Sequence, residues 1–132
     1  MASTEFVLAT AAFTRKWELI VTSRVATGEQ VNADSCAVYQ IFADNTANSF
    51  DLYLKIYDTT SGVTTGGSAT GSTDPDFVFL LPGGRAIDYT FVEGFVQLAS
   101  GLRATVSKDP GTSDASGTSA YNSITVELYG TD

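Results

Sequence analysis

The sequence predicts an all-β protein, a single antiparallel β-sandwich of about eight strands. Apolar and polar residues alternate over residues 50–57, which is the period of a strand with one buried face. The same period returns over residues 17–22, 102–107 and 124–129. Glycine, serine, threonine, asparagine and aspartate separate these segments, as in sandwiches, and no run of helical period exceeds about two turns. A chain of 132 residues with this texture suits one domain.

The remaining strands follow from apolar runs between turn residues. Residues 36–42 and 77–81 are apolar without alternation, which is typical of strands covered on both faces. Residues 89–92 and 95–98 are shorter candidates. Pro82 ends the strand over residues 77–81, because proline cannot continue a central ladder. Among sandwiches, a jelly-roll-like strand order is preferred here over an immunoglobulin-like order.

The N-terminal segment, residues 1–13, is predicted to be an edge strand or an arm, and the sandwich itself occupies residues 14–132. The segment carries the apolar residues Phe6, Leu8 and Phe13. An arm would add a strand to the exposed edge of a neighbouring subunit. An edge strand would instead be the first strand of the sandwich, and it is the preferred interpretation.

Two tyrosines share the polar face of the strand over residues 50–57. Tyr53 and Tyr57 lie opposite the apolar stripe that begins at Phe50, so they are predicted to point toward solvent or a partner. Tyrosine is enriched at protein interfaces, but it also pairs across strands on solvated sheets, and both interpretations stay open. The candidate interface residues are therefore Phe6, Leu8, Phe13, Tyr53 and Tyr57.

The composition argues against nucleic acid, membranes and most enzyme classes. Fifteen acidic residues against seven basic ones give a net charge of −8, the same sign as phosphate. The longest apolar run, residues 77–81, is far shorter than the roughly 20 residues of a spanning helix. The absence of histidine and the single cysteine, Cys36, exclude Ser-His-Asp and Cys-His catalysis and a His/Cys zinc site. We expect no enzyme activity, no cofactor, no nucleic-acid partner and no membrane partner.

Two long loops, residues 59–75 and 108–121, suggest two further hypotheses. The oxygen ligands that Ca²⁺ prefers are offered by Asp74 and Asp76, which flank Pro75, and by Asp109 and Asp114 in the later loop. Aspartate beside proline or glycine also starts turns, however, and no EF-hand spacing is present. The Ser/Thr/Gly composition would suit contact with a glycan. The loops contain only one aromatic residue, Tyr121, on which a sugar ring could stack, which argues mildly against that interpretation.

An ordered series of motifs runs through about two-thirds of the chain. The motifs are Val38-Tyr39 before Asn45-Thr46, YLKIYD over residues 53–58, a Thr/Gly/Asp-rich loop ending at Pro75, an aliphatic strand into Pro-Gly-Gly over residues 77–84, Phe-x-x-Gly-Phe over residues 91–95, Gly101-Leu102 with ATVS over residues 104–107, and ITVELY over residues 124–129. In this order and spacing they resemble a family of small β-sandwich virion proteins found among the structural genes of tailed bacteriophages.

The resemblance implies a virion component, and it carries over no catalytic residues. A head decoration (cement) protein suits a small, acidic, single-domain β-sandwich best. Such a protein would bind the major capsid protein on the capsid exterior as a homotrimer at a local threefold axis, after synthesis in the host cytoplasm. The alternative is a glycan- or receptor-binding module of a phage fibre or tail.

Overall fold

The computed structural model describes residues 2–7, 15–65, 73–91, 96–111 and 120–132, and within these ranges the chain forms strands and no helix. The all-β prediction is confirmed. The ten strands are β1 (Ala2–Val7), β2 (Arg15–Val21), β3 (Glu29–Asn32), β4 (Cys36–Asp44), β5 (Leu52–Tyr57), β6 (Phe77–Leu81), β7 (Ala86–Thr90), β8 (Val96–Leu98), β9 (Leu102–Ser107) and β10 (Ile124–Thr131).

The strands form two sheets in which every pairing is antiparallel. Sheet A has the order β1-β2-β10-β4-β7, and sheet B has the order β3-β9-β5-β6. Strand β8 pairs with the first residues of β4, and β7 pairs with the last ones. Because β7 and β8 follow each other along the same edge of β4, together they act as one interrupted strand.

The pairing order defines a jelly roll. With β7 and β8 counted as one strand, eight strands run from β2 to β10, and they pair from the outside inward. The first pairs with the last (β2 with β10), and the second pairs with the last but one (β3 with β9). Inside these, β4 pairs with β7 and β5 pairs with β6. This nested pairing, shared between two packed sheets, is the double Greek key of a jelly roll. The predicted jelly-roll-like sandwich is confirmed, with β1 added at the edge of sheet A.

The core lies between the sheets and follows the predicted alternation. In β10, Ile124, Val126 and Leu128 are buried and the residues between them are not. Strands β2 and β5 contribute further buried apolar side chains at every second position, and Trp17 is the largest of them. Phe50 departs from its predicted place in the stripe, because β5 begins only at Leu52. Its ring is 38% exposed at the end of the sandwich, with Lys108 Nζ 4.5 Å from the ring centroid.

Buried asparagines tie the loops together at one end of the sandwich. The amide of Asn45 donates to the backbone carbonyls of Phe50 at 3.1 Å and Leu81 at 3.0 Å. Its Oδ1 accepts a 2.9 Å bond from Asn48. Asn48 also donates to the carbonyl of Asn122 and accepts from the backbone N–H of Asn122, both at 2.9 Å. This network holds the β4–β5, β6–β7 and β9–β10 connections in one arrangement.

Candidate interaction surface

Two connecting segments cover half of the outer face of sheet B. Residues 22–28 follow β2, and the backbone N–H of Val25 donates to Thr105 Oγ1 at 2.9 Å across this face. Residues 63–65 lie beside them, since Thr65 Oγ1 donates to the carbonyl of Val25 at 2.6 Å. Lys55 and Thr105 consequently have no exposed surface, although they lie on the face directed away from the core.

Arg103 fixes this cover to the sheet. Its guanidinium donates to the carbonyls of Gly28 and Thr60, both at 2.9 Å, and to Oε1 of Gln30 at 2.9 Å. The three acceptors belong to different segments of the chain. One side chain of β9 therefore joins the end of the first covering segment, strand β3 and the connection that follows β5.

The prediction that Tyr57 points toward solvent or a partner is wrong. Its side chain is 1% exposed, because the covering segments lie over the end of β5. Burial raises the pKa of Tyr57 to about 12, and the charge of Arg24 opposes that rise in part. Among the described residues the hydroxyl of Tyr57 has no hydrogen-bond partner. Tyr57 is thus part of a second, smaller packed layer and offers no surface to a partner.

The other half of the same face is open and apolar. Val78 and Leu80 of β6 are 42% and 40% exposed, and Tyr53 of β5 is half-buried beside them. The β5–β6 register pairs Tyr53 with Leu80. We call these three residues the β6 patch. The prediction that residues 77–81 form a strand covered on both faces is wrong, because Val78 and Leu80 are exposed on the outer face.

Beside the β6 patch, aromatic side chains fill the gap between the two sheets. The ring centroid of Phe79 lies 5.4 Å from that of Tyr89 and 5.8 Å from that of Phe91. All three rings are half-buried and pack against the core. The hydroxyl of Tyr89 donates to the carbonyl of Leu80 at 2.6 Å, across the gap between β7 and β6.

The opposite side of the sandwich is polar. Trp17 Nε1 donates to Glu5 Oε2 at 2.9 Å, and Arg15 Nε lies 3.5 Å from Glu5 Oε1. Ser3 of β1 donates to Glu29 of β3 at 3.4 Å, so side chains of both edge strands meet across the gap. An apolar partner would therefore find its contact on the β6 side and not here.

The outer face of sheet A is acidic. Glu18 of β2, Glu127 of β10 and Asp88 of β7 lie in one row, with the half-buried Phe42 of β4 between Glu127 and Asp88. Lys16 offsets this charge only in part, with its Nζ 3.4 Å from Glu127 Oε1. Burial, the 2.7 Å hydrogen bond to Glu127 and the charges of Glu127, Glu18 and Asp88 raise the pKa of Tyr129 to about 12. Charges of one sign with few counter-charges favour a hydrated face.

The predicted N-terminal interface residues are only partly described. Residues 2–7 pair with β2 as the edge strand β1, and Phe6 stands opposite Lys16 in that ladder. The side chain of Phe6, together with Leu8 and Phe13, lies outside the described residues. Their role as interface residues stays a prediction, as does that of Tyr53, which the structure places in the β6 patch.

The described residues offer little to a metal ion. They contain no group of three or more His, Cys, Asp or Glu side chains placed to hold one. Of the four aspartates considered for Ca²⁺, Asp76 accepts the backbone N–H of Asp58 at 2.6 Å, Asp74 is exposed, and Asp114 lies outside the described residues. The contact of Asp76 joins residues 18 positions apart. Asp109 accepts the backbone N–H of Gly111 at 2.8 Å, which is the turn chemistry that the alternative interpretation expected.

A shallow polar cleft lies at the loop end of sheet A. It measures ≈ 150 Å³ and is lined by Asp44, Thr46, Ala47, Ser123 and Thr125. Ligand pockets usually measure about 300 Å³ or more. No ring lines the cleft, so it lacks the stacking platform that would favour a sugar.

The geometry defines a class, a jelly-roll β-sandwich with one acidic outer face and one partly apolar outer face. Compared with protein-family models, curated proteins and solved structures, the chain matches none. The described residues also include no helix that could cross a membrane.

Proposed function

We propose that the protein is a bacteriophage virion structural protein, a capsid decoration (cement) protein that binds the outside of the head and stabilises the shell. The observation that carries the proposal is the contrast between its two outer faces. The β6 patch presents two neighbouring exposed apolar side chains on sheet B, whereas sheet A presents a row of carboxylates with one exposed apolar side chain, Ile20. Contiguous apolar surface on a soluble domain marks a site of protein contact.

In this proposal sheet B faces the major capsid protein and sheet A faces solvent. Each bound copy buries the β6 patch against the shell, and the free energy of that burial opposes the outward pressure of packed DNA. Apolar burial contributes roughly 25 cal/mol per Å², and the gain is repeated at every copy. The net charge of −8 suits the outside of the head, because it has the same sign as DNA.

The rest of the proposal follows the resemblance described above. It assigns the chain no catalytic role, no cofactor, and no nucleic-acid or membrane partner, and it places the protein on the capsid exterior after synthesis in the host cytoplasm. The homotrimer concerns the shell-bound state, in which the shell supplies a local threefold axis. Jelly rolls also form lectin domains, so the fold alone does not decide against the glycan- or receptor-binding alternative, which stays a prediction.

Sedimentation with heads tests the proposal. Heads of the phage that carries this gene, prepared without the protein, are mixed with the purified chain and pelleted. We expect saturable binding, and about 30-fold weaker binding for Tyr53→Ala, because truncating a central interface tyrosine costs about 2 kcal/mol.

The matched control is Ile20→Ala, which removes a 47% exposed apolar side chain from sheet A. Its binding should equal that of the unmodified chain. Equal binding by Tyr53→Ala would refute the β6 patch as the docking surface. No binding by the folded, unmodified chain would refute the decoration function.

A further inference from the structure

Among the described residues, few bonds reach the main-chain groups of strand β6 at the edge of sheet B. The hydroxyl of Tyr89 reaches the carbonyl of Leu80 from the β7 side, so this carbonyl points away from β5. In an antiparallel pair, residues two positions apart direct their main-chain groups to the same side. The N–H and C=O groups of Val78 and Leu80 therefore line the free edge. Within the described ranges, Tyr89 is the one residue that bonds to them.

Apart from the Tyr89 hydroxyl, the described residues give this edge none of the features that usually protect a sheet from pairing. All five residues of β6 are apolar, none is proline, and the β5–β6 register is continuous. Elsewhere the edge strands carry polar or charged residues, such as Glu5 in β1, Glu29 in β3 and Asp88 in β7. An apolar, unprotected edge strand is a template for a strand from another chain.

We propose that the occupant is β6 of a second copy of this chain, paired antiparallel about a twofold axis at Phe79. In this register Val78 of each copy stands opposite Leu80 of the other, so the apolar side chains pack side by side across the new strand pair. Two copies of sheet B then form one continuous eight-stranded sheet. The contact is isologous, as closed twofold dimers require.

Charge favours the antiparallel arrangement. Asp74 and Asp76 precede β6 and Arg85 follows it, and all three side chains are exposed. Antiparallel pairing brings the acidic end of one strand beside the basic end of the other, whereas parallel pairing would place like charges together. The chain carries a net charge of −8, and pairing through an uncharged strand brings no like charges directly opposite each other.

The dimer does not depend on the proposed function, since only this chain takes part in it. Its consequence for docking is that the two β6 patches become neighbours across the twofold axis. The outer faces of both sheets B then lie on the same side of the assembly, and they present one larger apolar surface.

The mass in solution tests the dimer. Light scattering should give about 28 kDa, twice the 13.9 kDa of one chain, at tens of micromolar protein. Leu80→Lys should shift the protein to the monomer mass, with a dimer dissociation constant at least about tenfold higher. The control Ile20→Lys places the same charge on an exposed apolar position of sheet A and should stay dimeric. Far-UV circular dichroism verifies that both variants are folded.

A monomer or a trimer of the unmodified chain would overturn the inference, as would a Leu80→Lys variant that dimerises equally well. Cysteine pairing then tests the register. Directly opposed residues of a hydrogen-bonded pair have Cα atoms about 5.5 Å apart, within disulfide range, and diagonal neighbours exceed it. An oxidised mixture of Val78→Cys and Leu80→Cys chains should cross-link, and neither variant alone should; the natural Cys36 is buried.

Cross-linking of either variant alone, or none in the mixture, would refute the register. These outcomes are separate from head binding, which is judged on Tyr53→Ala. Tyr53 lies on β5, one strand inside the edge. Failure of the dimer therefore leaves the decoration proposal standing, and failure of head binding leaves the dimer standing.

Discussion

Replacing Asn45 by alanine should destabilise the domain more than any other single change in the loop network. Asn45 is fully buried, and its side chain makes three hydrogen bonds, to the carbonyls of Phe50 and Leu81 and from Asn48. Alanine leaves two carbonyls and one amide N–H without partners. An unsatisfied buried group costs about 1–3 kcal/mol, and the three are not additive because the loops relax. We expect a loss of about 3 kcal/mol in the free energy of unfolding.

Urea titration followed by circular dichroism measures this loss as a lower unfolding midpoint with an unchanged slope. The matched control is Asn122→Ala, in the same network. Asn122 is exposed, and its side chain donates only to the carbonyl of Ala47, at 2.8 Å. That variant should lose about 0.5 kcal/mol or less. A loss below about 1 kcal/mol for Asn45→Ala, or equal losses for both variants, would refute the role given to the buried network.

Three further predictions concern single contacts. Burial raises the pKa of Asp58, but three backbone N–H groups of the β8–β9 connection bond its carboxylate and lower the pKa below 3.8 overall. The charged form of Asp58 therefore stabilises the fold above the unfolded-state pKa. The stability lost in Asp58→Asn should be greatest near neutral pH and should shrink as pH falls through the folded-state pKa. A stability difference that grows in acid would contradict this. Tyr57→Phe should leave the free energy of unfolding unchanged or raise it by up to about 1 kcal/mol, because the buried hydroxyl has no hydrogen-bond partner among the described residues. Tyr121→Phe should lower it by about 1 kcal/mol, because that hydroxyl donates to a β9 carbonyl at 2.8 Å. Equal effects in urea titrations would count against both assignments. Gly130→Ala should lower the free energy of unfolding by about 3 kcal/mol, since its Cβ would collide with a backbone carbonyl of β4. In the control Gly62→Ala the new Cβ meets only ordinary contacts, so the change should stay within about 1 kcal/mol. Similar urea midpoints for the two variants would show that the β4–β10 bulge tolerates a side chain.

Most strands and their inward faces were predictable because side-chain alternation is a local property. Strand β3 (Glu29–Asn32) was not predicted, since only one of its four residues is apolar. Residues 124–129 alternate in the sequence, and the same residues alternate between buried and half-buried in β10. Two short apolar segments, residues 89–92 and 95–98, predicted two separate short strands. Each segment overlaps one of the observed strands, β7 and β8.

The outward face of sheet B was not predictable in the same way, since it depends on what packs over it. Tyr53 and Tyr57 have the same periodic position, yet residues 22–28 cover one end of β5 and leave the other open. Nothing in the alternation of β5 encodes a segment more than 20 positions away. Similarly, the apolar run of β6 predicted a strand covered on both faces, but Val78 and Leu80 are exposed because no described segment packs over this end of sheet B.

Electron cryomicroscopy of heads incubated with the purified protein tests the central claim most directly. The account predicts density outside the shell at local threefold positions, with sheet B and Tyr53 against the capsid protein and the carboxylate row of sheet A toward solvent. Heads without added density, or a bound domain with sheet A against the shell, would contradict it.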